Sequence, residues 1–110
     1  MHAWIILALL SDAARIANPP TSIEQYQSDG TTVIAQGGTV TGGSLVIKGF
    51  PSSTSSTTAS LRIEVKLVSQ SFTNVYTHES VQVPNGSQAS VTISGLAPGQ
   101  YKWQAWSYCT

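Results

Sequence analysis

Charge is scarce along this sequence. Five basic and five acidic side chains cancel over 110 residues. Electrostatic binding of nucleic acid needs clustered Lys and Arg to displace counterions, so that class of partner is not expected. A disordered polyelectrolyte is excluded by the same count. Cysteine is nearly absent: Cys109 stands alone, so no disulfide can form within the chain. Its thiol reads as passive, because no neighbouring base in the sequence would lower its pKa. The longest apolar run, Ala3 to Leu10, is far too short to span a bilayer as a helix.

The groups that do chemistry are few and badly spaced for it. Zinc sites use several Cys and His, and only His2 and His78 join the one thiol. Calcium sites use clustered carboxylates, and Asp12 and Asp29 are far apart. Hydrolysis needs a nucleophile with a base, or paired carboxylates. Glu64 alternates with Arg62 and Lys66, the pattern of a solvent-facing row. His78 and Glu79 are adjacent, so in a strand they point to opposite faces. Gly37-Gly38 and Gly42-Gly43 flank Thr39–Thr41, but no Lys-Ser/Thr or helix follows, as a phosphate loop requires. The expectation is a protein that is not an enzyme and carries no metal or cofactor.

Hydroxyls and amides supply the polarity instead, with sixteen Ser, twelve Thr and eight Gln. Thr, Val and Ile favour strands because branching at Cβ suits a pleated surface. Gly and Ser clusters punctuate the chain as short strands require. Period-two alternation is clearest from Ser60 to Ser69, where Leu61, Ile63, Val65 and Leu67 share one face. Gln88 to Ser94 repeats it, with Ala89, Val91 and Ile93 inward. Gln100 to Cys109 puts Tyr101, Trp103 and Ala105 on one face and Lys102, Gln104 and Trp106 on the other. Further strands are expected at Ser22–Gln27, Thr32–Gln36 and Ser44–Phe50, with one bent strand or two short ones between Val75 and Val83. Pro51–Thr58 reads as a polar loop. The predicted core comprises Leu61, Ile63, Val65, Leu67, Val91, Ile93, Tyr101 and Trp103.

The first residues differ in character. Residues 1–19 form an apolar, then helix-compatible segment; residues 20–110 form the domain proper. Trp4 to Leu10 suits a buried strand, whereas Ala3 to Ala17 suits a helix stopped by Asn18-Pro19-Pro20, and periodicity alone does not choose between them. No basic residue precedes the apolar run, and Arg15 spoils a cleavage site after Ala17, so a signal peptide fits poorly.

One stretch is specific. Gly95-Leu96-Ala97-Pro98-Gly99-Gln100-Tyr101-Lys102-Trp103 resembles the end of the E–F corner of fibronectin type III domains, where a Gly-Leu-x-Pro-Gly turn leads through a tyrosine into strand F. The resemblance covers residues 20 to 108 and is nearest to the divergent modules repeated in bacterial secreted and cell-surface proteins. It implies an immunoglobulin-like sandwich of two sheets, with Ser44–Phe50 as strand B, Ser60–Leu67 as strand C and Ser87–Ser94 as strand E. The paired cysteines of antibody domains are missing. It implies structural corner roles for Leu96, Pro98, Gly99 and Tyr101, the phenol covering the core and its hydroxyl bonding a nearby backbone group. A further strand, G, follows F in complete domains, so the chain reads as a truncated module with an open edge beside F. Residues 1–18 are expected to cover that edge, or the face near Trp106, within the chain or across a homodimer. The strand form is preferred there, since unpaired buried amides cost about 1–3 kcal/mol each.

Function follows less sharply. The resemblance implies a noncatalytic spacer, adhesion or protein-interaction unit of a larger exported protein, extracellular or at a bacterial cell surface. The alternative is a small carbohydrate-binding module using exposed aromatics, since Trp and Tyr stack on sugars or anchor partners. The candidate contact residues are Trp106, Tyr108 and Trp4, with packing beneath the N-terminal segment as the plainer role. Asn85-Gly86-Ser87 matches the glycosylation pattern but reads first as a turn.

Overall fold

The computed structural model describes residues 2–7, 17–54 and 56–109, with side chains from residue 20 onward. Ten strands form in order: β1 His2–Leu7, β2 Ala17–Gln27, β3 Val33–Ile34, β4 Thr39–Thr41, β5 Leu45–Ser53, β6 Thr58–Leu67, β7 His78–Glu79, β8 Val83–Pro84, β9 Ala89–Ile93 and β10 Gly99–Tyr108. Among the described residues there is no helix. One sheet runs β4-β1-β10-β6-β7, with β8 also on β6; the other runs β3-β2-β5-β9. All pairings are antiparallel except β1 with β10, which is parallel.

The two sheets face each other across one apolar core. Leu45, Ile47, Ala89, Val91 and Ile93 come from the β5–β9 side. Leu61, Ile63, Tyr101, Trp103 and Ala105 come from the β6–β10 side. Such a two-sheet sandwich is the expected consequence of strands with one apolar face each. Of the predicted core, Leu61, Ile63, Val91, Ile93, Tyr101 and Trp103 are buried. Val65 is only half-buried, and Leu67 is 40% exposed. Leu67 sits at the last pair of the β6–β10 ladder, opposite Tyr101, where β6 gives way to a turn.

Trp103 carries a polar link between the sheets. Its indole N–H donates to Gln25 Oε1 on β2 at 2.8 Å, and Gln25 Nε2 donates to the Ala35 carbonyl at 3.0 Å. A buried indole N–H without such a partner would be costly.

Two expectations about the strands need correction. Pro51–Thr58 is not one polar loop: β5 continues through Ser53, β6 starts at Thr58, and Pro51 is fully buried. Side chains from elsewhere satisfy the extended backbone, since the Ser52 N–H donates to Ser107 Oγ and the Ser53 N–H donates to Asn85 Oδ1. The first strand of the four-stranded sheet is longer than Ser22–Gln27. It runs from Ala17, and register shifts around Thr21, with Ser22 at φ 50°, take up the Pro19-Pro20 step. Such bulges let a proline-bearing strand keep its partner. Of the two forms expected for Val75–Val83, the structure has the two short strands, β7 and β8, both on β6.

At the other end, Gly95-Leu96 docks on the β4–β5 turn. The Leu96 N–H donates to the Gly43 carbonyl at 3.0 Å. A Cβ on Gly43 would lie 2.9 Å from the Leu96 carbonyl oxygen, so only glycine permits the approach. Leu96 packs on the core, and the Tyr101 hydroxyl donates to the Ala97 carbonyl at 2.7 Å.

β1 lies between β10 and β4. Its pairs run from Ala3 with Gly99 to Leu7 with Trp103 on one side, and His2 to Trp4 face Thr41 to Thr39 on the other. The backbone edge of β10 opposite β6 is therefore occupied within the same chain along Gly99–Trp103.

Candidate functional site

The outer face of the six-stranded sheet concentrates the polar and aromatic side chains. Strand alternation places Ser60, Arg62, Glu64 and Lys66 of β6 there, opposite Tyr108, Trp106, Gln104 and Lys102 of β10. Arg62 is the centre of one cluster. Its guanidinium carbon lies 3.3 Å from the Tyr108 ring centroid and 4.0 Å from that of Tyr76. Its Nε donates to Glu79 Oε2 at 2.9 Å, and the Ser60 hydroxyl reaches the same oxygen at 2.8 Å. A planar guanidinium suits this arrangement because it stacks and hydrogen-bonds at once.

Glu64 departs furthest from expectation. It is fully buried rather than part of a solvent-facing row. The segment after β6 folds back across the sheet and brings its own donors. The Thr73 N–H donates to Glu64 Oε2 at 2.7 Å and the Thr73 hydroxyl at 3.0 Å. The Asn74 N–H and Gln104 Nε2 donate to Oε1 at 3.0 and 2.9 Å. Gln104 also reaches Asn74 Oδ1, which helps hold Asn74 at φ 65°. Burial raises the carboxyl pKa, but the bonds from Thr73, Gln104 and Asn74 outweigh it and bring it below the ordinary value. Lys66 Nζ stands 3.9 Å away. Lys102, paired across the ladder with Lys66, turns instead to the Phe72 ring at 4.7 Å.

The residues singled out from the sequence are spread over this face and beyond it. Trp106 is 5% exposed, so its ring offers almost no surface to a sugar or a partner. Tyr108 is half-buried beneath Arg62. The side chain of Trp4 lies outside the described residues. Tyr76, which no sequence pattern marked, is 40% exposed and closes the stack over Arg62. Val75 beside it is 62% exposed. Its contact is an arginine on the adjacent strand β6, fourteen residues back along the chain, and nothing local signals that.

The remaining groups are engaged structurally. His78 is half-buried, pairs with Ile63, and has its Nδ1 2.9 Å from the Thr77 hydroxyl; burial lowers its pKa. Asn85 is a clasp: its Nδ2 donates to the carbonyls of Ser53 and Ser56 at 2.9 and 2.8 Å. Cys109 is buried with its sulfur 3.2 Å from Ser53 Oγ. A cavity of about 210 Å³ lies by Ile23, Gln25, Val33, Ile34 and Trp103. Ligand pockets are typically larger, about 300–1,000 Å³, and the Gln25 amide beside it is already bonded.

Among the described residues no His, Cys, Asp and Glu side chains cluster as a metal site, and no helix is long and apolar enough to cross a membrane. No protein family, curated protein or solved structure matches the chain.

Proposed function

We propose that the chain is an immunoglobulin-like module of the fibronectin type III kind, without catalytic activity, that serves as a spacer, adhesion or protein-interaction unit of an exported protein. The observation that carries the reading is the corner: Leu96 on the core, the Pro98-Gly99 turn, and the Tyr101 hydroxyl on the Ala97 carbonyl at 2.7 Å. It joins β9 in one sheet to β10 in the other, as the E–F corner of those domains does. Strands β2, β5 and β9 then stand for A, B and E, and β6 and β10 for C and F. β1 holds the edge of β10 where those domains place their last strand. A homodimer through that edge would require β1 to exchange between chains.

The noncatalytic part rests on how the carboxylates are used among the described residues. Glu64 binds Thr73, Asn74 and Gln104; Glu79 binds Arg62 and Ser60; Asp29 binds Thr31 and Thr32; Glu24 accepts the Tyr26 hydroxyl. Acid–base catalysis needs a carboxyl or imidazole turned toward an open site. Exported location comes with the resemblance and is part of the proposal.

A glycan array, run with a panel of hydrolase substrates, tests the reading. The expected result is neither glycan retention nor turnover. Glycan binding lost on Tyr76→Ala or Tyr108→Ala would move the assignment to a carbohydrate-binding module. Turnover lost on His78→Ala would overturn the noncatalytic reading.

A further inference from the structure

The edges of the two sheets are not alike. On the four-stranded sheet one edge is β3, two residues long, and the other is β9, Ala89–Ile93. On the six-stranded sheet the outer strands are β4, three residues, β7, two residues that include Glu79, and β8, two residues that include Pro84. Natural sheets keep edges from pairing by making them short, charged, proline-bearing or bulged. β3, β4 and β7 are short, and β7 is also charged. β9 has none of these devices. It is five residues of Ala-Ser-Val-Thr-Ile, paired with β5 from Gly49 to Leu45 without a register shift. Among the described residues nothing pairs with its other side. Alternate backbone N–H and C=O groups along an antiparallel strand face away from its one partner, so that side presents a row of donors and acceptors that no described strand pairs.

We infer that β9 is a self-pairing edge, and that its partner is β9 of a second copy of this chain, antiparallel about Val91. Identity of the two strands makes such a contact two-fold and self-complementary. In that register Ala89 meets Ile93 of the other copy, Ser90 meets Thr92, and Val91 meets Val91. The inward set Ala89, Val91 and Ile93 stays on the core side, and the exposed Ser90 and Thr92 stay on the outer side. No charged side chain lies on the strand, so self-pairing brings no like charges together. Hydroxyl pairs across antiparallel strands are favourable. The two four-stranded sheets would become one sheet of eight. This association is separate from exchange of β1, which engages the other sheet.

The register makes the test a charge reversal. Ser90→Glu with Thr92→Glu places two carboxylate pairs opposite each other across the two-fold, whereas Ser90→Glu with Thr92→Lys places two opposite-charge pairs. Both positions are exposed, and Lys48 pairs with Ser90 on β5, so a carboxylate at position 90 suits the folded chain. Sedimentation equilibrium from micromolar to millimolar protein should show a weak dimer of the unaltered chain. The two-carboxylate variant should weaken it by at least about tenfold, and the carboxylate–lysine variant should restore it. A monomer throughout that range overturns the proposal. So does a dimer that the two-carboxylate variant leaves intact. A readout independent of variant folding is amide hydrogen exchange of residues 89–93 in the unaltered chain. Protection there should grow with protein concentration, and protection that is constant overturns the proposal.

Discussion

Glu64 shows how much one side chain can organise. Its two oxygens take four bonds from Thr73, Asn74 and Gln104, so the segment after β6 is held down by a single buried carboxylate. Glu64→Gln keeps the shape but turns an amide NH2 toward backbone N–H donors. Stability to urea should fall by about 1–3 kcal/mol, with faster hydrogen exchange at Thr73 and Asn74. An unchanged midpoint would show that the segment is held by other contacts. The acid dependence has a definite sign. The folded pKa lies below the ordinary value of 4.5, so the contribution is complete above that value and is lost as pH falls through the folded pKa. Asp29 acts in the same direction. Bonds from the Thr32 hydroxyl and the Thr31 and Thr32 amides lower its pKa from 3.8 to about 2. Stability measured against pH should therefore decline below 4.5, and the Glu64→Gln variant should give a shallower decline. Trp103 is the second decisive residue. Trp103→Ala should cost about 3–5 kcal/mol through the cavity and the stranded Gln25 amide, read as a lower urea midpoint. Trp103→Phe isolates the indole bond to Gln25, and should cost less.

Among the elements, β1 covers the edge of β10 along Gly99–Trp103. It pairs on both sides, parallel with β10 and antiparallel with β4. Ile5 lies in the middle of the β10 ladder, opposite Tyr101. Ile5→Pro places a ring without an N–H in the middle of that paired stretch, where strands tolerate proline poorly. The expected outcome is a less soluble protein, because the edge of β10 opens along Gly99–Trp103 and offers a template for pairing. Light scattering and thermal midpoint are the measurements. A variant as soluble and as stable as the parent would mean that β1 contributes little to holding the sheet.

The whole molecule is joined across its layers rather than along the chain. Trp103 in one sheet bonds Gln25 in the other, and Ser52 and Ser107 bridge the sheets near the opposite end. Neither sheet has a private core. Equilibrium unfolding should thus be one transition, with far-ultraviolet circular dichroism and tryptophan fluorescence changing at the same urea concentration. Two separated transitions would show that the sheets unfold independently. The same architecture makes folding slow for its size, since most pairings join distant residues.

Several features were legible in the sequence because their cause is local. Period-two alternation marked β6, β9 and β10 and chose their inward residues except Leu67 at the end of β6, since each strand needs one apolar face whatever it packs against. Asp29-Gly30 and Pro84-Asn85-Gly86 marked turns, and Gly95 to Tyr101 marked a corner whose hydroxyl bond forms over four residues. Other features depended on which strands meet, and no local pattern carries that. Glu64 looked solvated until the chain after β6 folded over it. Trp106 was legible as a contact or as a packed side chain, and only the folded sheet left it 5% exposed. Ser52 and Ser53 looked like loop because their partners, Asn18 and Ala17 on β2 and the side chains of Ser107 and Asn85, lie far along the chain. The apolar start suited strand or helix equally, and the free edge of β10 decided it, since a strand satisfies that row of backbone groups and a helix leaves it unpaired.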